Sequence, residues 1–429
     1  MTHYTRIVGL CVLALTATAT TFAQNMTSPY TRFGYGDLSN QTIANSRGMG
    51  GIAYGMRDRL HINPINPASY TAVDSLTMLF DAGLSLQNTN YIDGITKLNV
   101  GNASFDYVAM QFRLRRGIGM TLGLLPYTNV GYSISQYETN TTNPSASNTR
   151  SFTGSGGLHQ AVIGIGVEPL KNLSVGINAS YLWGSLSHSR SVVLSGSGSY
   201  MYTDVRYTSI RDVKLDFGAQ YSHAVGQRGL LTVGATFAPK QGLDNTGTFQ
   251  TQTGPDSQNM VTTSKDTVAT YELPMSIGVG ATYTYDNRLT VGMDLTFQQW
   301  GDVTFMNEPN AFYNRTKIAV GAEYLPSLFP RSFLAATKYQ IGAFYELPYY
   351  KVSYEGEGTF RAAKIYGLTA GFSLPTPQLP GRNTGYSRIN VAFQYARTQG
   401  NRSRMMNENV FRVSIGITFN ERWFFKRQI

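Results

Sequence analysis

The chain is 429 residues long and 42% hydrophobic, yet only 14% of it is charged, well under the roughly 25% of a typical soluble domain. Gly (44), Tyr (28) and Phe (22) are abundant, which suits a surface that does not face water all round. The net charge of +10 carries no Lys/Arg run longer than two residues, which argues against nucleic acid and for arginines spread into a lumen or a lipopolysaccharide-facing rim.

The first residues read as a secretory signal. Arg6 supplies the positive start, and Ile7 to Ala19 is apolar but too short to span a bilayer. Thr21-Phe22-Ala23 offers small residues at −3 and −1, so cleavage is expected after Ala23. Cys11, the only cysteine, lies inside the apolar stretch and away from the cleavage point, so lipidation is not expected. The segment after it then has no disulfide framework.

Residues 24–74 do not alternate. Gly, Asn and Pro are dense there, which predicts compact turns and one short helix. Gly48-Met49-Gly50 followed by Ala53 echoes a dinucleotide loop, but no strand precedes it and no parallel crossover follows.

From residue 75 onward, alternation with period two is nearly unbroken. Leu76, Met78, Phe80, Ala82 and Leu84 begin it, and Phe411, Val413, Ile415, Ile417 and Phe419 end it. The clearest hairpin runs from Tyr271 to Trp300. Ile277, Val279, Ala281, Tyr283 and Tyr285 alternate with Gly and Thr, and the pattern resumes after Asp286-Asn287 with Leu289, Val291, Met293, Leu295 and Phe297. One face is apolar and aromatic, and the other is Gly, Thr, Asp and Gln. The pattern predicts about fourteen strands, including continuous ones at roughly 229–250 and 260–285. Tight turns such as 115–117 and 286–287 alternate with longer polar stretches such as 138–152 and 251–259. That is the habit of a membrane barrel with short turns on one side and long loops on the other. The connections at 326–333 and 375–385 depart from it, being long and Pro-rich where short turns are due. A secreted β-sandwich would need charges on its second face, where Gly, Ser, Thr and Asn stand instead.

Little in the sequence carries chemistry. The five histidines show no metal-ligand spacing, and there is no G-x-S-x-G elbow and no phosphate loop. A Ser/His pair meeting across strands is not readable at this level. The expectation is a protein that is not an enzyme and has no metal and no cofactor. By parity with apolar neighbours, Asp81, Gln111, Arg113, Lys214, Asp216, Asp294 and Arg412 are candidates for the lumen, where charges are tolerated and can hydrogen-bond the N-terminal segment. Pro126 lies mid-strand and cannot donate to a ladder, so either a wall defect stands at Leu125, Pro126 and Tyr127 or Pro126 lies above the bilayer, where an unpaired carbonyl meets water.

Arg47-Gly48-Met49-Gly50-Gly51, then Asp58, then Asn66-Pro67-Ala68 resembles the N-terminal plug signature of the FadL family, outer-membrane transporters of long-chain fatty acids and aromatic hydrocarbons. Pro274 with Trp300, and Val320-Gly321-Ala322-Glu323-Tyr324, are similar to later motifs of that family. The doubled Asn63-Pro64 and the run beyond the last strand depart from it. The resemblance implies an all-β transmembrane antiparallel barrel with an N-terminal hatch in its lumen, divided as signal peptide 1–23, plug segment 24–74 and barrel 75–429. It implies the outer membrane of a Gram-negative cell, with both termini periplasmic. It implies passive uptake of a hydrophobic small molecule through the lumen and a lateral opening in the wall. Some relatives look like partners of secretion or membrane-assembly complexes, so an accessory subunit with outer-membrane or periplasmic protein partners is the second expectation.

Overall fold

The computed structural model describes residues 28–75, 77–94, 96–139, 147–195, 200–255, 259–354, 358–376, 387–401 and 405–422. The expected signal peptide and cleavage site lie outside the described residues.

Strong alternation becomes one closed antiparallel barrel of fourteen strands. The first wall strands are β1 (Thr77–Asp93), β2 (Thr96–Arg115), β3 (Ile118–Pro126, continuing as Thr128–Thr139) and β4 (Ser147–Leu170). Next come β5 (Leu173–Ser195), β6 (Tyr200–Val225), β7 (Gly229–Ala238), β8 (Ser276–Tyr285) and β9 (Leu289–Gln298). The last are β10 (Arg315–Tyr324), β11 (Lys338–Leu347), β12 (Ala363–Pro375), β13 (Arg388–Gly400) and β14 (Asn407–Arg422). β1 pairs with β14 through registers such as Phe80↔Phe419, so the sheet closes on itself. Closure removes the open edges that lipid cannot satisfy.

The two faces are inverted relative to a water-soluble fold. Leu84, Phe217, Val279, Leu295, Ile341 and Leu368 point outward and are exposed. Gln111, Thr121, Asn178, Gln220, Thr282 and Asp294 point inward and are buried. An apolar outer belt with a polar interior is the pattern of a barrel solvated by lipid. The Asp286-Asn287 hairpin closes with both residues left-handed, at φ 54 and 52, and with Arg288 N–H donating to Tyr285 C=O at 3.0 Å. That mirror-type turn matches the strand twist.

Two strands are shorter than their alternation suggests. β7 stops before Pro239 and β8 starts after Pro274, because neither proline can donate to the ladder. The intervening chain forms a hairpin, Asn245–Gly254 with Val261–Thr267. Its first strand pairs with the upper half of β6, from Met201 to Ile210. The wall there continues above the barrel proper.

Residues 28–75 lie inside the barrel as a hatch with little regular structure. They hold 3-10 turns at Pro29–Arg32 and Pro67–Ala72 and one helical turn at Ala44–Arg47. At the long-connection end, an aromatic cluster fills the lumen. Trp300 stacks on Tyr349 at 4.4 Å and meets Phe312 at 5.7 Å and Tyr35 at 5.8 Å. Leu158, Leu182, Leu186 and Ile210, from the inner faces of β4, β5 and β6, pack into the same cluster.

Candidate functional site

The site is the lumen, and the hatch defines it. Glycines on the inner wall let hatch backbone lie directly on wall backbone. A methyl added at Gly321 on β10 would overlap the Met49 carbonyl, and one at Gly342 on β11 would overlap the Gly50 nitrogen. These two glycines face each other in the β10–β11 register, so the wall offers one flat seat to Met49 and Gly50. Gly50 and Gly51 are left-handed, at φ 72 and 81, which turns the hatch chain at that seat. The hydroxyl of Thr369 bonds on both sides of it, to Gly50 N–H at 2.8 Å and Gly48 C=O at 3.0 Å.

Charged and polar latches complete the fastening. Arg47 is buried, pairs with Asp106 at 2.5 Å, and donates to Thr42 C=O at 2.9 Å and Ser85 Oγ at 3.0 Å. Asp58 meets Lys338 Nζ at 3.3 Å and His61 Nδ1 at 2.9 Å, and Lys338 also reaches Glu323 at 2.7 Å. Asp294 accepts the backbone N–H of Ala53 at 2.5 Å and of Tyr54 at 2.9 Å. Asn66 donates to Tyr54 C=O at 2.8 Å and to the wall carbonyl of Ala219 at 3.3 Å, while its Oδ1 caps Ala68 N–H at 3.2 Å. Pro67 opens the final 3-10 turn of the hatch, where its missing donor is not needed.

Burial alone would raise the Asp58 carboxyl, but the Lys338 ammonium and the contact with His61 outweigh it and hold the group well below the usual carboxylate range. A depressed folded-state value contributes stability above the unfolded value of about 3.9 and loses it as pH falls through the folded one. The share of hatch protection that Asp58 contributes is therefore expected to stay constant down to about pH 4.5 and to be lost below about pH 4. Asp58→Asn is expected to raise protease sensitivity at pH 7, and limited proteolysis from pH 7 downward checks both.

Between the hatch and the aromatic cluster lies a cavity of about 1010 Å³. Its lining is rich in paired charges. Lys214 meets Asp216 at 2.5 Å, and Arg315 meets Glu346 at 2.7 Å. Arg412 donates twice to Gln87, at 3.0 and 2.6 Å, and Lys317 sits 5.1 Å over the Phe344 ring. Of the other lumen candidates, Asp81 accepts from Tyr107 at 2.8 Å and Thr418 at 2.6 Å, and Gln111 reaches Tyr70 C=O at 3.4 Å. Arg113 stands at the rim and donates to Ser75 at 2.9 Å. The candidates thus divide among the cavity, the hatch contacts and the rim. The same parity rule reaches Arg315, Lys317, Glu323, Lys338 and Glu346, charged residues within alternating strands that were not singled out; Asp106 shares the parity of Val108 and Met110 and is turned inward by the register slip between Gly83 and Leu84 of β1.

The wall is interrupted beside this cavity. Pairing of β2 with β3 ends at Val108↔Leu124. Above it, among the described residues, β2 pairs with β1 alone. β3 breaks at Tyr127, whose N–H goes to Leu158 C=O at 2.7 Å, and then resumes along β4. Its edge facing β2 is taken instead by the hatch segment. Leu38 pairs with Thr128 and Asp37 with Asn129, Ser39 N–H donates to Tyr127 C=O at 3.0 Å, and Gln41 donates to Pro126 C=O at 2.8 Å. Leu125 is buried in a cluster with Ile43 and Ala44, and Leu125, Pro126 and Tyr127 all line the cavity. No local signal marked Asp37-Leu38 as a strand, because two residues pair only where an edge waits for them.

A family model described as BamG matches residues 5–429. Among solved structures, the chain is similar to the Pseudomonas putida toluene transporter TodX at 15% identity and a TM-score of 0.58, covering 90% of this chain and 99% of that one. It is similar to the Ralstonia pickettii toluene transporter TbuX at 15% identity and 0.57, covering 90% and 99%. A Pseudomonas aeruginosa FadL homologue matches at 12% identity and 0.54, covering 90% and 98%. These likenesses are of fold, and the barrel has the FadL-like architecture. No curated protein matches the chain in sequence.

Proposed function

The chain belongs to the BamG family, and from that premise we propose that this outer-membrane barrel is an accessory subunit of a Bam-type outer-membrane assembly complex, with a lumen kept shut. The family's name supports the partner, and the lumen supports the closure. The carrying observation is the cavity lining. A site for an apolar ligand is lined mainly by apolar side chains with a few polar ones. This cavity mixes apolar surface with Lys214–Asp216, Arg315–Glu346, Lys317 and Arg412, so an apolar molecule entering it would take water from those charges and give no polar contact in return. In this reading Arg47, Gly48, Gly50, Gly51, Asp58, Asn66, Pro67 and Ala68 seat the hatch. Gln111 and Asp294 bond the hatch, Asp81 ties β1 to β2 and β14, and Lys214, Asp216 and Arg412 line the cavity. Both termini face the periplasm, no catalysis is involved, and the partners are lipid and other outer-membrane or periplasmic proteins.

One observation favours a second reading, passive uptake of a hydrophobic molecule. The break at Leu125–Tyr127 lies beside the cavity, where a lateral exit would need it. Because Asp37 and Leu38 occupy the β3 edge, Pro126→Ala alone is expected to leave that break in place. Proteoliposomes loaded with an apolar tracer, and planar bilayers for conductance, separate the two. The accessory reading predicts no flux above that of a protein-free membrane. Tracer flux above that level would favour uptake.

A further inference from the structure

The connection from β10 to β11 lies at the short-turn end, yet it spans residues 325–337 and carries the most exposed apolar cluster described outside a strand. Phe329 is 90% exposed, Leu334 67% and Phe333 57%, with Leu328 beside them. Its course is fixed. Arg288, in the neighbouring turn, donates to Leu325 C=O at 3.3 Å and to Tyr324 Oη at 3.0 Å. Ser332 caps a single helical turn, Phe333–Ala336, by accepting Ala335 N–H at 3.3 Å.

The decisive contact is from Tyr339, whose hydroxyl donates to Leu334 C=O at 3.2 Å. Lys338 points into the lumen toward Asp58 and Glu323, so Tyr339 points out. It belongs to the outward aromatic row, paired with Tyr324 across β10 and 5.8 Å from Phe372 on β12. The helical turn is therefore held against the lipid-facing side of the wall, at the rim. Large apolar side chains standing in water are a liability, whereas beside an aromatic girdle they sit where acyl chains begin.

We propose that residues 325–337 form an interfacial anchor that inserts Phe329, Phe333 and Leu334 into the phospholipid leaflet at the short-turn end. The anchor rests only on the barrel being membrane-embedded, so it stands whichever function the barrel has. Its occupant is lipid because the patch continues the lipid-facing girdle and is tied to it by Tyr339.

The test uses the full chain in a Cys11→Ser background, with nitroxide labels at Phe333→Cys, Leu334→Cys and Phe329→Cys. Arg116→Cys, in an exposed turn at the same end, is the water reference. The labelled barrels are placed in vesicles of phosphatidylethanolamine and phosphatidylglycerol. The ratio of oxygen to nickel-chelate collisions is expected to be several-fold higher at the three anchor positions than at 116. Equal ratios would overturn the anchor. So would labels shielded from both reagents in native membranes, which would mean that a protein covers the patch. Three positions are read because one label can disturb the turn, and a lipid signature absent from all three counts against the proposal.

Discussion

Gly321→Val is expected to unseat the hatch while leaving the barrel closed. The added side chain would overlap the Met49 carbonyl, and Met49 is fully buried against the β10–β11 seat. The nearest contacts, the oxygen and carbon of the Met49 carbonyl, are backbone, so no rotamer change relieves the clash. Overpacking typically costs 1–3 kcal/mol, and a site without a flexible neighbour belongs at the top, about 3 kcal/mol. The measurement is limited trypsin digestion, read at Arg47, Arg57 and Arg59, with heat-dependent gel migration to report the intact wall. Cleavage should accelerate about a hundredfold, the equivalent of that free energy at 1.4 kcal/mol per decade. Gly101→Val, where an added methyl meets nothing within 4 Å, is the control and should leave the digestion unchanged.

Arg47→Met should act on the same hatch by a different route. The guanidinium holds Asp106, Ser85, Ser414 and the Thr42 carbonyl at once. Methionine keeps the apolar stem but strands the Asp106 carboxylate in a buried site. Breaking a buried pair from one side costs about 3–5 kcal/mol, because the remaining charge has lost its partner. Hatch protection measured by hydrogen exchange over residues 40–52 should fall accordingly. The double variant Arg47→Met with Asp106→Leu should recover much of the loss, since replacing both partners by apolar groups removes the stranded charge. A double variant no better than the single one would mean that the polar contacts of Arg47, rather than its charge, hold the hatch.

Most of the wall was legible because a lipid-facing strand must alternate and a hairpin must turn. The fourteen strands, the Asp286-Asn287 turn and the all-β fold follow from those two demands. The two shortened strands were not, although both stop at prolines visible in the sequence. Alternation on its own could not tell a wall strand from the Asn245–Gly254 hairpin above it. The hatch motif came through resemblance, since residues 28–75 have no period of their own. Its attachments are long-range. Arg47 meets residues 59 and 367 positions away, and Asp37-Leu38 becomes a strand only because β3 leaves an edge. Parity placed Asp294 toward the lumen but not its two bonds to Ala53 and Tyr54. The aromatic cluster around Trp300 was hidden for the same reason. The rings that meet Trp300 lie in the hatch and in connections far apart in sequence, where no periodicity holds.

The central claim, a shut barrel that serves as an accessory subunit, is tested most directly by stoichiometry in native membranes. A tagged chain extracted in mild detergent is purified, its mass measured intact, and its partners identified and quantified. The account predicts a defined complex with the Bam-type assembly barrel at a fixed ratio. A chain that emerges alone, with an apolar molecule in the cavity beside Lys317 and Arg412, would contradict it.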